Sequence, residues 1–182
     1  TFSSTIQGVE ACLVEIEVNA TGEGEETRVA IVGLPDTAVR ESRDRVRSAL
    51  RSCGFVHPRG STIINLAPAD VRKEGSAFDL PIAISMVAAT GRFSGERMGQ
   101  MMMIGELALD GTVRRVPGLI PVGLHARTCR ELAGLLVPGE NAAEAAVAAG
   151  ERLPVYPVGN LRDAVRFLAG EIELKRYYPS AQ

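Results

Sequence analysis

Nucleophilic chemistry in this chain would need a serine and one of its lysines. Ser76 lies between Lys73 and Pro81, immediately before a long apolar stretch. A serine hydroxyl becomes a nucleophile when a nearby base takes its proton, and a lysine can be that base when burial lowers its pKa. The sequence contains two lysines, Lys73 and Lys175. Ser76 is therefore a candidate catalytic residue for which the sequence offers no clear base.

The same serine also fits the start of a helix. Residues 77–90 are apolar on nearly all sides, which predicts a helix buried in the centre of the fold. Ser76 and Asp79 match the Ser/Thr-x-x-Asp/Glu pattern, in which the hydroxyl accepts a hydrogen bond from an early backbone amide. An aspartate in the first turn also interacts favourably with the helix dipole. The pattern therefore favours a capping role over catalysis for Ser76.

A row of arginines is the second group of residues with a chemical role. They lie at helical spacing beside an apolar face in a predicted helix over residues 36–53, which Asp36 or Thr37 caps and Gly54 ends. Guanidinium groups in such a row can contact the phosphates of DNA without reading its sequence. With two neighbouring basic residues added, the candidate DNA contacts are Arg40, Arg43, Arg47, Arg51, Arg72 and Lys73.

The arginine row has a second interpretation as a solvated face whose charges pair internally. Glu41 can pair with Arg45 four residues later, and Asp44 can pair with Arg47 three residues later. Residues 57–60 are a further candidate extension of the positive surface. The sequence leaves open whether the row contacts DNA, a neighbouring subunit or solvent.

Alternating strands and helices must position these groups. Strands are predicted over residues 12–18, 27–32, 61–66, 134–137 and 155–158, and further helices over residues 120–130, 141–149 and 161–168. Residues 21–26 are predicted to form an acidic hairpin loop. Asp110 and Gly111 predict a two-residue turn between strands 101–109 and 112–114. The alternation predicts an α/β fold of βαβ units on a mixed sheet.

Composition predicts a single domain. The chain has 182 residues, of which 46% are hydrophobic and 23% charged, with a net charge of −2. We expect one domain over residues 1–170 and a linker or tail over residues 171–182. No apolar run reaches the roughly 18 residues of a membrane span, and no signal peptide is evident, so a cytoplasmic protein is expected. Three widely spaced cysteines argue against a disulfide framework or a structural zinc site.

Four segments carry a resemblance to a known family, namely residues 31–42, 65–70, 73–83 and 105–107. They resemble the amino-terminal domain of the ComM/YifB magnesium-chelatase-like AAA+ proteins. The resemblance implies a two-layer βαβ fold similar to the Lon proteolytic domain and to ribosomal-protein-type domains. It also implies a role beside a hexameric ATPase in DNA branch migration, recombination and natural transformation.

The resemblance to Lon also implies which residues would be catalytic. Ser76 aligns with the Lon nucleophile, whereas the Lon lysine would follow Gly118 and Leu119, where this chain has Ile120. Isoleucine cannot act as a base, and we expect its side chain to fill the lysine's place with apolar bulk. No Gly-x-x-x-x-Gly-Lys-Ser/Thr loop is present, so ATP and Mg²⁺ are expected only in an absent AAA+ module, with no cofactor or metal in this chain.

These observations predict a noncatalytic Lon-like accessory domain of an AAA+ ATPase that acts on DNA. Its expected contributions are ring assembly and contact with the DNA backbone, and its expected partners are its own AAA+ module, DNA and further copies in a hexamer, with no membrane contact. This chain by itself is not expected to be an enzyme. Two alternatives remain at this stage, which are a cryptic Ser-Lys peptidase and a pure oligomerisation scaffold.

Overall fold

Seven strands build the main sheet in the computed structural model, which describes residues 1–24 and 26–179. Two further short strands pair as a separate ribbon. In chain order the strands are β1 Phe2–Gln7, β2 Glu10–Ala20, β3 Arg28–Val32, β4 Ser61–Ala67, β5 Met101–Met103, β6 Glu106–Leu107, β7 Val113–Arg114, β8 Gly134–Pro138 and β9 Val155–Val158. The helices of the described residues are α1 Thr37–Ser52, α2 Asp79–Ala89, α3 Leu119–Ala126, α4 Ala142–Ala149 and α5 Leu161–Leu168.

The main sheet is mixed and runs in the order β3-β4-β2-β1-β5-β8-β9. Strand β2 pairs antiparallel with β1 and with β4, and the other neighbouring pairs are parallel. Parallel neighbours need crossover connections, and α1 supplies the crossover between β3 and β4. The predicted α/β fold with a mixed sheet is confirmed.

Alternation along the strands sends side chains into two hydrophobic clusters. Val14 and Ile16 of β2 face the cluster that contains α1, α2 and α5. Ala11 and Leu13 of the same strand face the cluster that contains α3 and α4. Because successive residues of a strand point to opposite faces, the two clusters lie on opposite sides of the sheet. Helices α1, α2 and α5 therefore pack on one face of the sheet, and α3 and α4 pack on the other face.

The hairpin loop predicted near the amino-terminal end is wrong, although the strands predicted on either side of it are present as β2 and β3. Residues 21–26 do not close a hairpin, because β4 lies between β2 and β3 in the sheet. Strands β2 and β3 were predicted to be neighbours because they are close in sequence. The α1 crossover instead places β3 beside β4. Glu25 of this loop lies outside the described residues. Residues 2–7 form β1, which the sequence interpretation left unassigned.

The predicted two-residue turn at Asp110 and Gly111 is also wrong. Strand β5 ends at Met103 and belongs to the main sheet, and only β6 and β7 pair in the ribbon. Ala108 N donates to Thr112 O at 2.9 Å, and Gly111 N donates to Ala108 O at 3.0 Å. The loop therefore has three residues, and Gly111 takes a positive φ of 92° at its last position, as expected for this loop type.

Helix α4 contributes to the core. Five of its alanines are buried, and α3 approaches it so closely that a Cβ added to Gly123 would lie 2.6 Å from the Cβ of Ala148. Helix α3 ends at Ala126 and is shorter than the predicted 120–130. Across the part of the chain that the structure describes, no helix combines the length and apolar character that a membrane crossing requires.

A linker or tail was predicted for residues 171–182, after α5. Ile172 and Leu174 pack against the larger hydrophobic cluster, and Tyr177 N donates to Val155 O at 2.9 Å on the free edge of β9. Residues 180–182 of the predicted tail lie outside the described residues.

Candidate nucleic-acid interface

Helix α1 displays the predicted arginine row to solvent. Asp36 caps the helix by accepting from Val39 N at 2.7 Å, and Gly54 follows the helix with a φ of 77°, as predicted. The buried face of the helix is the predicted apolar one, so the polar face is forced outward. All four arginines of the row are exposed, namely Arg40, Arg43, Arg47 and Arg51.

Internal pairing neutralises only part of this surface. The predicted pair of Glu41 with Arg45 is present at 3.7 Å. Asp44 pairs with Arg43 at 3.4 Å, so its predicted partner Arg47 was wrong. Among the described residues, Arg40, Arg47 and Arg51 make no ion pair with a carboxylate. These guanidinium groups are therefore available to an external anion.

A shallow groove runs between α1 and β3, the edge strand of the sheet. It consists of three neighbouring cavities of about 350, 390 and 520 Å³ that share lining residues. Arg43 and Arg47 each line two of these cavities, and His57 lines two as well. The structure therefore brings His57 to the arginine row, as the sequence suggested for residues 57–60. The groove presents a row of cations beside an open strand edge.

The other two candidate DNA contacts lie elsewhere in the structure. Arg72 is exposed and pairs with Glu74 at 3.1 Å. Lys73 is completely buried, and its Nζ donates to Gly33 O at 2.8 Å and to Pro68 O. A buried amine cannot contact DNA, so the assignment of Lys73 to the basic surface is wrong. Its long side chain instead connects the end of β3 to the end of β4. The sequence around Lys73 shows its charge but not the two distant carbonyls that its amine contacts.

Burial lowers the pKa of Lys73, because the charged ammonium loses its hydration. At pH values below the lowered pKa, both folded and unfolded Lys73 are charged, and burial of the charge costs stability. Above the lowered pKa and up to about 10.4, the folded state releases the proton while the unfolded state keeps it. The free energy of unfolding then rises with pH in that window. The neutral amine still has two N–H groups for the two carbonyls.

We expect Lys73→Met to remove this alkaline gain. Relative to the variant, the wild-type free energy of unfolding should rise by about 1.4 kcal/mol for each unit by which burial lowers the pKa. Urea unfolding of both proteins from pH 7 to pH 10.5 measures the difference. A wild-type minus variant difference that stays constant over this range would show that Lys73 does not titrate differently in the folded state.

Ser76 does not cap α2, which corrects the favoured interpretation of its role. The helix begins at Asp79, and no side chain accepts from its first amides. Ser76 contributes its backbone carbonyl, which accepts from Asp79 N at 3.2 Å, while its hydroxyl donates to a carboxylate oxygen of Glu106. Strand β6 carries Glu106 to this position, and Arg114 of β7 lies 3.9 Å from the other carboxylate oxygen. Glu106 therefore contacts both the Ser76 hydroxyl and the Arg114 guanidinium.

Removal of this hydroxyl should lower stability modestly. We expect Ser76→Ala to reduce the free energy of unfolding by roughly 1 to 2 kcal/mol, because a half-buried carboxylate loses a hydrogen bond. Thermal and urea unfolding measure the effect. Ser94→Ala is the matched control, because this serine is exposed and its hydroxyl makes no hydrogen bond to another described residue. Equal stabilities of the two variants would contradict a structural role for the Ser76 hydroxyl.

Ile120 does not fill a vacated lysine position with buried bulk. It lies in the first turn of α3 and is 43% exposed to solvent. The preceding Gly118 has a positive φ of 86° and leads into the helix, which turns the buried face of α3 toward Leu119 and Val122 instead. The apolar character of Ile120 alone could not reveal which side of the short helix faces the core.

A buried carboxylate at Asp79 links the arginine helix to the β6–β7 ribbon. Its two oxygens accept from Arg45 Nε at 2.7 Å, from Leu107 N at 3.1 Å and from the hydroxyl of Ser42. The hydrogen bond from Arg45 to Asp79 raises the pKa of the guanidinium. The sequence assigned Asp79 only to the helix start, where it does occupy the first turn. Its partners are 28 to 37 residues away in sequence, so local patterns could not identify them.

The described residues contain no cluster of metal-ligating side chains. Within residues 1–24 and 26–179, no three His, Cys, Asp or Glu side chains come together in a way that could hold a metal ion.

Known proteins are similar in sequence to this chain over nearly its whole length. Residues 14–141 match the family described as subunit ChlI of Mg-chelatase. The competence protein ComM of Haemophilus influenzae is 39% identical over 173 residues, covering 95% of this chain and 33% of that protein. YifB of Salmonella typhimurium is 39% identical over 175 residues, and a Mycobacterium tuberculosis protein is 38% identical over 170 residues. These alignments cover 96% and 93% of this chain, and the chain spans about a third of the length of each relative.

Proposed function

Because this chain belongs to the ChlI-type Mg-chelatase family together with ComM and YifB, we propose that it is an accessory domain of a DNA-directed AAA+ ATPase. In this proposal the domain is Lon-like and noncatalytic, and it works in the cytoplasm in recombination, branch migration and natural transformation. ATP and Mg²⁺ bind in an AAA+ module of the same protein, and the full-length protein assembles as a hexamer. The printed name of ComM associates that relative with competence.

The exposed arginine row on α1 carries the proposal that this domain contacts DNA. The rise of 1.5 Å per residue places Arg40 and Arg51 about 16 Å apart along the helix axis, a span that covers several phosphates of one strand. Three of the four arginines have no carboxylate partner among the described residues, so DNA does not have to displace an ion pair to reach them. The chain has a net charge of −2, so this attraction is local to the groove.

Two observations support a noncatalytic role over the peptidase alternative. The hydroxyl of Ser76 donates to Glu106, and the amine of Lys73 donates to the carbonyls of Gly33 and Pro68. The described chain therefore provides no lysine amine hydrogen-bonded to this serine, as a Ser-Lys pair requires. The exposed arginines support DNA contact over a pure scaffold role, because a scaffold does not require three neighbouring arginines that lack carboxylate partners among the described residues.

Fluorescence anisotropy with a duplex of about 20 base pairs tests the proposal on the purified domain. We expect binding at 50 mM salt that weakens steeply by 200 mM, because phosphate contacts release counterions. Duplexes of unrelated sequence should bind with similar affinity, since backbone contacts carry no sequence information. Absence of binding at 50 mM salt would refute DNA contact by this domain and leave assembly as its remaining role.

A further inference from the structure

A second cleft, separate from the arginine groove, opens beside Ser76. Its volume is about 460 Å³. Strand β1 lines it from Ser4 to Ile6, and the segment from Gly75 to Ala77 lines it as well. The apolar side chains that complete it are Ile104, Val116, Pro117 and Val122. None of its lining residues also lines the groove between α1 and β3.

The β1 wall of this cleft is a strand edge that β5 leaves largely without a ladder partner, and Ser4 on this edge is 4% exposed. Strand β5 pairs with β1 at a single position, Phe2 with Met102, and the chain then turns away so that Gly105 N donates to Ala77 O. On its other side, β1 pairs with β2 along its whole length. The strand therefore loses its β5 neighbour beyond Phe2, where the cleft begins.

Backbone alternation defines which groups of β1 face the cleft. Thr1 exchanges both of its backbone hydrogen bonds with Ile16 of the β2 side, so the odd-numbered residues of this strand direct their N–H and C=O groups toward β2. The even-numbered residues direct theirs to the opposite side. Ser4 and Ile6 therefore present backbone donors and acceptors to the cleft, at the spacing that an added strand would match.

The side chains that line the cleft favour a ligand with an apolar side chain next to a basic one. Ile6, Ile104 and Val122 offer an apolar surface, whereas Glu74 is the one charged residue among those that line it. Its carboxylate is 58% exposed and pairs with Arg72 outside the lining. Because an exposed ion pair contributes little stability, Glu74 can exchange Arg72 for a positive side chain on a ligand.

We propose that this cleft binds an extended peptide segment, which adds to the free edge of β1 and places an apolar side chain between Ile6 and Val122. Strand addition of this kind combines backbone hydrogen bonds with pockets for alternate side chains. A basic side chain of the peptide lies next to Glu74. The segment is held without cleavage, because the Lys73 amine donates to Gly33 O and Pro68 O and is not hydrogen-bonded to the Ser76 hydroxyl. This binding role is independent of the proposed DNA contact.

Nuclear magnetic resonance of the ¹⁵N-labelled domain tests the proposal with defined peptides. The probe is the blocked peptide acetyl-Thr-Val-Lys-Val-Thr-amide, and the control is the same peptide with its central lysine replaced by proline, which removes a backbone N–H. We expect the probe to shift the amides of Ser4, Ile6, Ser76 and Ala77, and the proline peptide to shift them at least about tenfold more weakly. Equal effects of the two peptides, or shifts confined to α1, would overturn the proposal.

Charge reversal at the cleft provides the second test. Glu74→Lys should weaken binding of the probe by about tenfold, whereas Glu96→Lys, at another exposed glutamate, should leave it unchanged. Identical affinities for both variants would remove Glu74 from the site and contradict the basic ligand. Mass spectrometry of the peptide after incubation should find it intact, and cleaved peptide would overturn binding without cleavage. Cleft shifts that grow with protein concentration in the absence of peptide would identify a second copy as the occupant and overturn the peptide proposal.

Discussion

Replacement of Asp79 with alanine is expected to lower the free energy of unfolding by about 3 to 5 kcal/mol. The carboxylate is completely buried and accepts hydrogen bonds from Ser42, Arg45 and Leu107 N. Its removal leaves a largely buried guanidinium without its counter-charge and a buried amide without an acceptor, and both groups have lost their hydration. The cost should therefore exceed that of an exposed ion pair severalfold.

Urea unfolding at neutral pH measures this cost. Asp44→Ala is the matched control, because Asp44 also pairs with an arginine of α1 but is exposed. The control should change the free energy of unfolding by less than about 1 kcal/mol, as exposed pairs contribute little. Similar losses for the two variants would mean that Asp79 does not organise the junction between α1, α2 and β6. A shift in the urea midpoint without a change in slope would localise the effect to stability.

The second large effect is expected in DNA affinity. Two phosphate contacts with a salt exponent of 0.9 each change the affinity by about 60-fold between 1 M and 0.1 M salt. If the two proteins bind duplex DNA equally at 1 M salt, replacement of Arg43 and Arg47 with alanine should therefore weaken binding by about 60-fold at 0.1 M salt. Both side chains line the central cavity of the groove, which suits them to contact neighbouring phosphates. The fold should tolerate these changes, because both side chains are exposed and alanine favours helix formation.

A control with the same change in net charge separates local contact from general attraction. Arg127 and Arg130 are exposed residues at the end of α3, outside the α1 groove. Their double replacement with alanine should weaken binding by less than about threefold, through the long-range field alone. Equal losses for the two double variants would assign DNA binding to net charge and remove α1 as the contact surface.

Local patterns predicted helix α1 well, because its signals lie within the helix itself. The apolar face, the Asp36 cap and the terminal Gly54 each act over a few residues, and all three are confirmed. The exposure of the arginine row followed directly, since residues opposite a buried face must meet solvent. The prediction of an α/β fold with a mixed sheet is confirmed as well, because the spacing of apolar residues along the sequence differs clearly between its strands and its helices.

The errors concern residues whose environment depends on distant parts of the chain. Lysine is usually a surface residue, but the ends of β3 and β4 enclose Lys73, and their carbonyls accept hydrogen bonds from its amine. Ser76 matches a capping pattern, yet strand β6 brings Glu106, 30 residues away, to compete for its hydroxyl. Each outcome required the packing of elements that no sequence period specifies. The candidate site was therefore predictable on α1 and unpredictable around Lys73 and Ser76.

The salt dependence of DNA binding tests the central claim most directly, which is that the arginine row of α1 neutralises DNA phosphates. The slope of log K against log salt should be less steep for Arg43→Ala with Arg47→Ala than for wild type by about 1.8, which is two contacts at 0.9 each. The Arg127→Ala and Arg130→Ala control should keep the wild-type slope. Identical slopes for wild type and the α1 variant would contradict the claim, whatever the change in affinity.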